Sequence, residues 1–213
     1  MIYNAKEIKL FKNLNSPKKI QDYLNKLKFN FEHKGDTCFS PRYVIQKQMA
    51  HCMEGALLAS AILEFHGARP LIMDLRSQPE DYDHVVAVFK QFGCYGAISK
   101  THHAVLRYRE PIYASLRELA ISYFHEYFLD TGKKTLREYS LLLNLKRFDR
   151  NPYLWFRESG KLENWRISEQ NLFFIPECLD TLKHYKLLTF AQIKNLRKAD
   201  PIEIKAGQII QNY

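Results

Sequence analysis

Residues 46–58 read Gln46-Lys47-Gln48-Met49-Ala50-His51-Cys52-Met53-Glu54-Gly55-Ala56-Leu57-Leu58, and residues 83–89 read Asp83-His84-Val85-Val86-Ala87-Val88-Phe89. Together they set a cysteine at the head of an apolar helix rich in small residues and a histidine at the head of a strand. From Cys52 to Phe65 the run of Ala, Gly, Ser and Leu carries little charge on any face, which predicts a helix packed on several sides. Gly67-Ala68-Arg69-Pro70 ends that helix, and Leu71-Ile72-Met73-Asp74-Leu75 reads as a strand. His84 to Lys90 forms a second strand, which turns at Gln91-Phe92-Gly93 into a third from Tyr95 to Ser99. In an antiparallel hairpin centred on that turn, His84 and Ser99 are expected to fall approximately opposite each other.

Outward from this core, Ser16-Pro17 and Ser40-Pro41 each offer a capping serine followed by a proline suited to the first helical position. The first opens an amphipathic surface helix through Ile20, Tyr23, Leu24 and Leu27, and the second opens a helix through Tyr43, Val44 and Ile45. No glycine or proline shows whether the second helix breaks near Gln48-Met49 or runs on into Cys52, and both readings stay open. Ser115 to Phe128 repeats a helical pattern, Leu136 to Phe148 and Ile175 to Leu188 hold apolar clusters of helical length, and Phe190 to Leu196 resembles a short helix. Between them, Asn151 to Trp165 is aromatic and irregular, and Trp155 and Trp165 suit either a lid or the core.

The chain has 213 residues, 46% of them hydrophobic, enough for one well-packed core. It is read as a single domain over 1–213, with a core at about 15–130 and a helical and irregular extension at about 131–213. No stretch approaches the roughly 18 apolar residues of a membrane span, and the first residues lack the apolar run of a signal peptide, so a soluble cytoplasmic protein is expected. The cysteines Cys38, Cys52, Cys94 and Cys178 form no CxxC pair and no repeated spacing, so reduced thiols are expected rather than a disulfide framework. The net charge of +9 is spread along the chain, which favours solubility more than a polynucleotide partner. The basic and aromatic run Leu106 to Tyr113 reads equally well as a solvated face with aromatic packing.

A cysteine at a helix start ionises readily, because unpaired N–H groups and the positive end of the helix dipole favour thiolate. The bland alternative is a small buried residue in an alanine-rich helix. His84, preceded by the acidic loop Glu80 to Asp83, is placed to act as a base at a cleft, or else is a structural histidine bonded to a carbonyl. Gln46, with the backbone N–H of Cys52, is the candidate oxyanion donor; Gln48 competes, and an exposed helical glutamine is the plain reading. A metal reading would use His51, Cys52, His84, His102 and His103, but no pair has the spacing that places two ligands on one helical face, so neither a metal nor another cofactor is expected.

The phrases AHCMEGALLASAILEFHGARP, DHVVAVF and GCYGAIS together resemble the transglutaminase-like branch of the papain-like cysteine enzymes. SPRYVI and YREPIYASLRELAISYFHEY are similar to segments of a bacterial group within that superfamily, and the resemblance covers about residues 15 to 130. It implies an α+β fold with a central helix packed on an antiparallel sheet and additional surface helices. It also implies a nucleophile, base and orienting residue in the order Cys, His, Asp, which carries over to Cys52 and His84. At the third position stands Ser99, whose hydroxyl accepts a hydrogen bond but stabilises imidazolium far less than a carboxylate. Asp74, Asp83 or His102 could substitute as the orienting residue; Asp83 is adjacent to His84 and so projects to the opposite face, and Asp74 on the preceding strand is the better of them. The implied activity is acyl transfer on a protein, peptide or small amide, as a peptidase, an amidase or a transferase. A fold that keeps the cleft as a binding module without catalysis is the alternative.

Overall fold

The computed structural model describes residues 2–103, 105–150 and 164–207. Helix α1 (Ala5–Asn13) opens the chain behind a capping box in which the Asn4 side chain accepts from the Glu7 N–H and Glu7 accepts from the Asn4 N–H. Helix α2 (Pro17–Lys26) follows with Ser16 as its cap. A two-residue strand β1 (Lys28–Phe29) leads through a loop to α3 (Pro41–Lys47), capped by Ser40. That helix stops where Gln48 takes a left-handed conformation with φ 55. The chain then runs as strand β2 (Met49–Ala50), parallel to β1, before α4 (Cys52–Phe65) begins. The break lies at Gln48-Met49, and α3 and α4 are separate helices.

The main sheet starts with β3 (Leu71–Arg76), β4 (His84–Gln91), β5 (Cys94–Ile98) and β6 (Arg109–Tyr113). Helix α5 (Leu116–Ile121) and a 3₁₀ turn at Phe124–Glu126 follow, so the helical pattern from Ser115 is divided in two. Then come β7 (Glu138–Ser140), β8 (Leu143–Asn144), α6 (Arg147–Arg150), α7 (Phe174–Asp180), β9 (His184–Lys186), α8 (Phe190–Lys194) and α9 (Pro201–Gly207). Among the described residues, seven strands form one antiparallel sheet in the order β6-β5-β4-β3-β7-β9, with β8 also paired to β3. Within residues 136–148, β7 and β8 therefore supply sheet strands and only the start of α6 is helical, in place of the one helix their length suggested. Short apolar runs of this kind do not separate the two by periodicity, and pairing along β3 decides. The sheet thus draws strands from the segment set apart above as an extension.

Helix α4 has no polar face: every residue from Met53 to Leu63 is buried. Ile72, Val85, Ala87, Phe89 and Ile98 belong to the same core cluster from the sheet side, as do Leu24 of α2 and Val44 of α3. Burying each Leu or Ile side chain in such a core contributes about 1.5–3 kcal/mol. The opposite sheet face, with Met73, Leu75, Val86 and Val88, packs on Leu119, Ala120 and Tyr123 from α5 and its continuation. His84 shares the Val86 face. The cover over that face is therefore the α5 segment and not α4, and only the position of His84 at the very start of β4 lets it reach the end of α4.

Gly55 shows how tightly α4 is seated. A Cβ there would lie 2.3 Å from Lys100 Cβ, and Lys100 is held in place because its Nζ donates to the Leu24 and Leu27 carbonyls at 3.0 and 2.5 Å. Alanine gains about 1 kcal/mol of helix propensity over glycine, but overpacking costs about 1–3 kcal/mol, so Gly55→Ala is expected to be neutral to destabilising by about 2 kcal/mol in urea denaturation. A stabilised variant would show that Lys100 yields.

The hairpin turn puts Phe92 at φ 53 and Gly93 at φ 80, the paired positive values of a two-residue turn that matches strand twist. Its register sets Ala87 opposite Ile98 and Gln91 opposite Cys94. Continued one step, this register brings Ser99 level with Val86, so Ser99 is displaced by two residues from the position opposite His84 but keeps to the same face.

Trp165 is fully buried in the core and stacks on the Arg166 guanidinium, which is held by Glu64 and Asp149. It is a packing residue and not a lid. Trp155 and the segment from Asn151 to Glu163 lie outside the described residues.

Candidate active site

Cys52 is the first residue of α4, and His51 is its N-cap. Cys52 is partly exposed at the floor of a cleft of about 430 Å³, whose walls include His51, His84, Lys100, His102 and Tyr127. That volume suits a small ligand or a peptide side chain. The Cys52 Sγ lies 4.0 Å from the Asp83 carbonyl oxygen, immediately before His84. Burial alone would raise the Cys52 thiol. The His51 and His84 imidazoles beside it outweigh burial and bring the pKa down to about 5.

The protons on His84 follow from its neighbours. Ser99 Oγ donates its single hydrogen to the Leu106 carbonyl at 2.9 Å, so at 2.6 Å from His84 Nε2 it accepts. His84 therefore carries hydrogen on Nε2, and Nδ1 is the nitrogen left for the thiol. The Ser99 backbone is fixed as well. Its N–H donates to the Gln21 side chain at 2.9 Å and its carbonyl accepts from the Gln21 amide at 2.8 Å. The imidazole edge also rests against Tyr123, with ring centroids 6.3 Å apart. Ser99 thus orients the His84 imidazole without adding negative charge.

Asp74 takes no part in holding His84. The β3–β4 register pairs Asp74 with Val85 and Leu75 with His84, so Asp74 projects to the other sheet face. There it lies 3.0 Å from His184 Nε2, and its backbone N–H donates to Ser140 Oγ at 2.9 Å. Burial and the nearby Asp83 push its carboxyl up to about 6 against the opposing pull of His184.

Gln46 is also elsewhere. It is exposed on α3 and does not line the cleft, because the left-handed turn at Gln48 breaks the continuous path its spacing to Cys52 assumed. Gln48 donates to Tyr23 Oη and the Ile45 carbonyl, so it does not replace Gln46. The remaining donors for an oxyanion are backbone N–H groups of the first turn of α4, which lack helical partners by construction.

A network behind the cysteine has no counterpart in the expectations above. Glu54 is fully buried, and its carboxylate accepts from the Asn30 amide, the Thr37 hydroxyl at 2.8 Å and the Phe39 and His51 N–H groups, each at 3.0 Å. The pattern His51-x-x-Glu54 is the one local signal, since a glutamate three residues after a cap marks a capping box. Asn30 and Thr37 come from a loop far along the chain and carry no sequence signal for this role.

The five residues of the metal reading all line the cleft. Among the described residues, however, no three His, Cys, Asp or Glu side chains come close enough together to hold an ion. No protein-family model and no curated protein matches the sequence. The described helices include none long and apolar enough to cross a membrane.

Proposed function

We propose that this chain is a cysteine-nucleophile acyl-transfer enzyme of the transglutaminase-like, papain-like kind. Its substrate would be an amide or ester of a protein, peptide or small molecule. The observation that carries the reading is the shared cleft of Cys52, at the start of a buried helix, and His84, whose Nε2 is taken up by Ser99 so that Nδ1 is the nitrogen left for the thiol. Cys52 gives its proton to His84 Nδ1, and the thiolate sulfur attacks the carbonyl carbon. The carbonyl electron pair moves onto oxygen, where backbone N–H groups at the head of α4 stabilise it. Collapse expels the leaving amine or alcohol, which takes the proton from His84. Water then completes hydrolysis, or an amine completes transfer. The free thiols suit a reducing compartment, and the cytoplasm is the proposed location.

The test is a covalent trap. The protein is incubated with p-nitrophenyl acetate and with a panel of peptide amides, and intact mass and peptide mapping follow the product. An acyl group on Cys52 that hydroxylamine removes, and that is absent from Cys52→Ala, is the expected result. Absence of any adduct at Cys52 supports the second reading, a binding module, which the serine in place of an orienting carboxylate favours.

A further inference from the structure

The site holds a second imidazole, and the carboxylates stand behind that one rather than behind His84. We propose that His51, backed by Glu54, is a positioning residue that holds the Cys52 sulfur as thiolate while His84 moves the proton. This rests on the reading of Cys52 as nucleophile.

The geometry divides the two rings by what lies behind them. Among the described residues, the hydrogen-bond partner of His84 Nε2 is the Ser99 hydroxyl. His51 Nε2 lies 3.0 Å from the Thr37 carbonyl, an acceptor only, so this nitrogen carries hydrogen. The same nitrogen is 3.4 Å from Glu54 Oε1 and 3.7 Å from Glu32 Oε1. Two carboxylates at this range favour a charged ring over a neutral one. The titrating nitrogen is then Nδ1. In the neutral ring it accepts from the Met53 N–H over a long 3.3 Å. Protonation ends that bond and leaves Nδ1–H to donate to the Cys52 sulfur beside it, with the freed Met53 N–H at the head of α4.

The groups around His51 come from α4, which carries Cys52 and Glu54, and from the loop between β1 and α3, which carries Glu32 and the Thr37 carbonyl; His84 on β4 lines the same cleft. Of the forces on the ring, burial opposes its charge, and contact with Cys52 and then Glu54 outweighs burial, raising it to about 9. His51 takes its proton from solvent and keeps it through the cycle. Cys52 passes its own to His84, which delivers it to the leaving group. A carboxylate that acts through His84 in the resembled family acts here through His51, on the other side of the sulfur.

Asparagine at position 51 retains a strong helix cap without a titrating ring, which makes His51→Asn the informative variant and His51→Ser its second form should the first fold poorly. The readout is the pH dependence of Cys52 alkylation by iodoacetamide, followed by peptide mass mapping, for wild type, His51→Asn, His51→Ser, Glu54→Gln and His84→Ala. The half-maximum in His51→Asn and His51→Ser is expected to move upward by about one to two pH units, a roughly 10- to 100-fold lower thiolate population at acidic pH, and Glu54→Gln by less. A His51→Asn or His51→Ser profile that superimposes on wild type while His84→Ala moves it overturns the inference and leaves the proposed function standing. Wild-type Cys52 that titrates like Cys94 and Cys178 overturns both.

Discussion

Cys52 is expected to reach half of its full alkylation rate near pH 5, whereas Cys94 and Cys178 serve as reference thiols in the same digest. Ionisation and nucleophilicity oppose each other here, and magnitudes decide the outcome. At pH 6 the thiolate population of such a group exceeds that of an ordinary thiol by about 300-fold, while its lower basicity cuts the intrinsic rate by about 40-fold, leaving an advantage of about tenfold. Near pH 9 the ordinary thiol is ionised too and the order inverts. Replacing His84 by alanine is expected to raise the half-maximum by about one to two pH units, because one of the two imidazoles that favour thiolate is gone. The midpoint is the diagnostic, since a rate at one pH mixes the two effects. An unchanged midpoint in His84→Ala would remove the dyad.

The same pair of shifts ties stability to pH. Cys52 is depressed, so its contribution to folding is complete above the unfolded thiol value and is lost as pH falls through about 5. His51 is raised, so its contribution is complete below the unfolded imidazole value and is lost as pH rises through about 9. The ion pair therefore supports the fold between these limits.

Glu54→Ala is expected to cost about 3–5 kcal/mol, measured as the loss of unfolding free energy in urea. The residue is 0% exposed, and removing it strips the acceptor from the Asn30 amide, the Thr37 hydroxyl and the Phe39 and His51 N–H groups at once. An unsatisfied buried donor costs about 1–3 kcal/mol, and part of the total is recovered as water enters from the cleft. Glu54→Gln keeps the volume but turns an NH₂ group toward donors, so about half the loss is expected. Against a typical total stability of about 5–15 kcal/mol, the alanine variant should be partly unfolded at physiological temperature. A loss below about 1 kcal/mol would mean that the network is not cooperative.

The capping serines at 16 and 40, the central helix and the turn at Phe92-Gly93 were legible because each is governed by neighbours within a few residues. The places of Cys52 and His84 were legible for the same reason, since each stands at the head of an element whose start is marked locally. What failed depended on geometry between elements. The distance from Gln46 to Cys52 along the chain said nothing of the left-handed turn between them. Asp74 was placed on the right strand, but antiparallel pairing turned its side chain to the wrong face. Residues 136–148 have the length of a helix, and only an unfilled edge of β3 makes them strands. Glu54 escaped notice because its partners Asn30 and Thr37 are remote in sequence and polar residues in a loop announce no partner.

The place of β3 inside the sheet has a consequence for biosynthesis. One of its edges pairs with β4 directly after it, but the other waits for β7 and β8. A ribosome adding about 5–20 residues per second needs roughly 3–12 s to supply them. For that interval the nascent chain offers an open, apolar strand edge beside the nascent site, and this is where a chaperone or a second nascent chain would first find it.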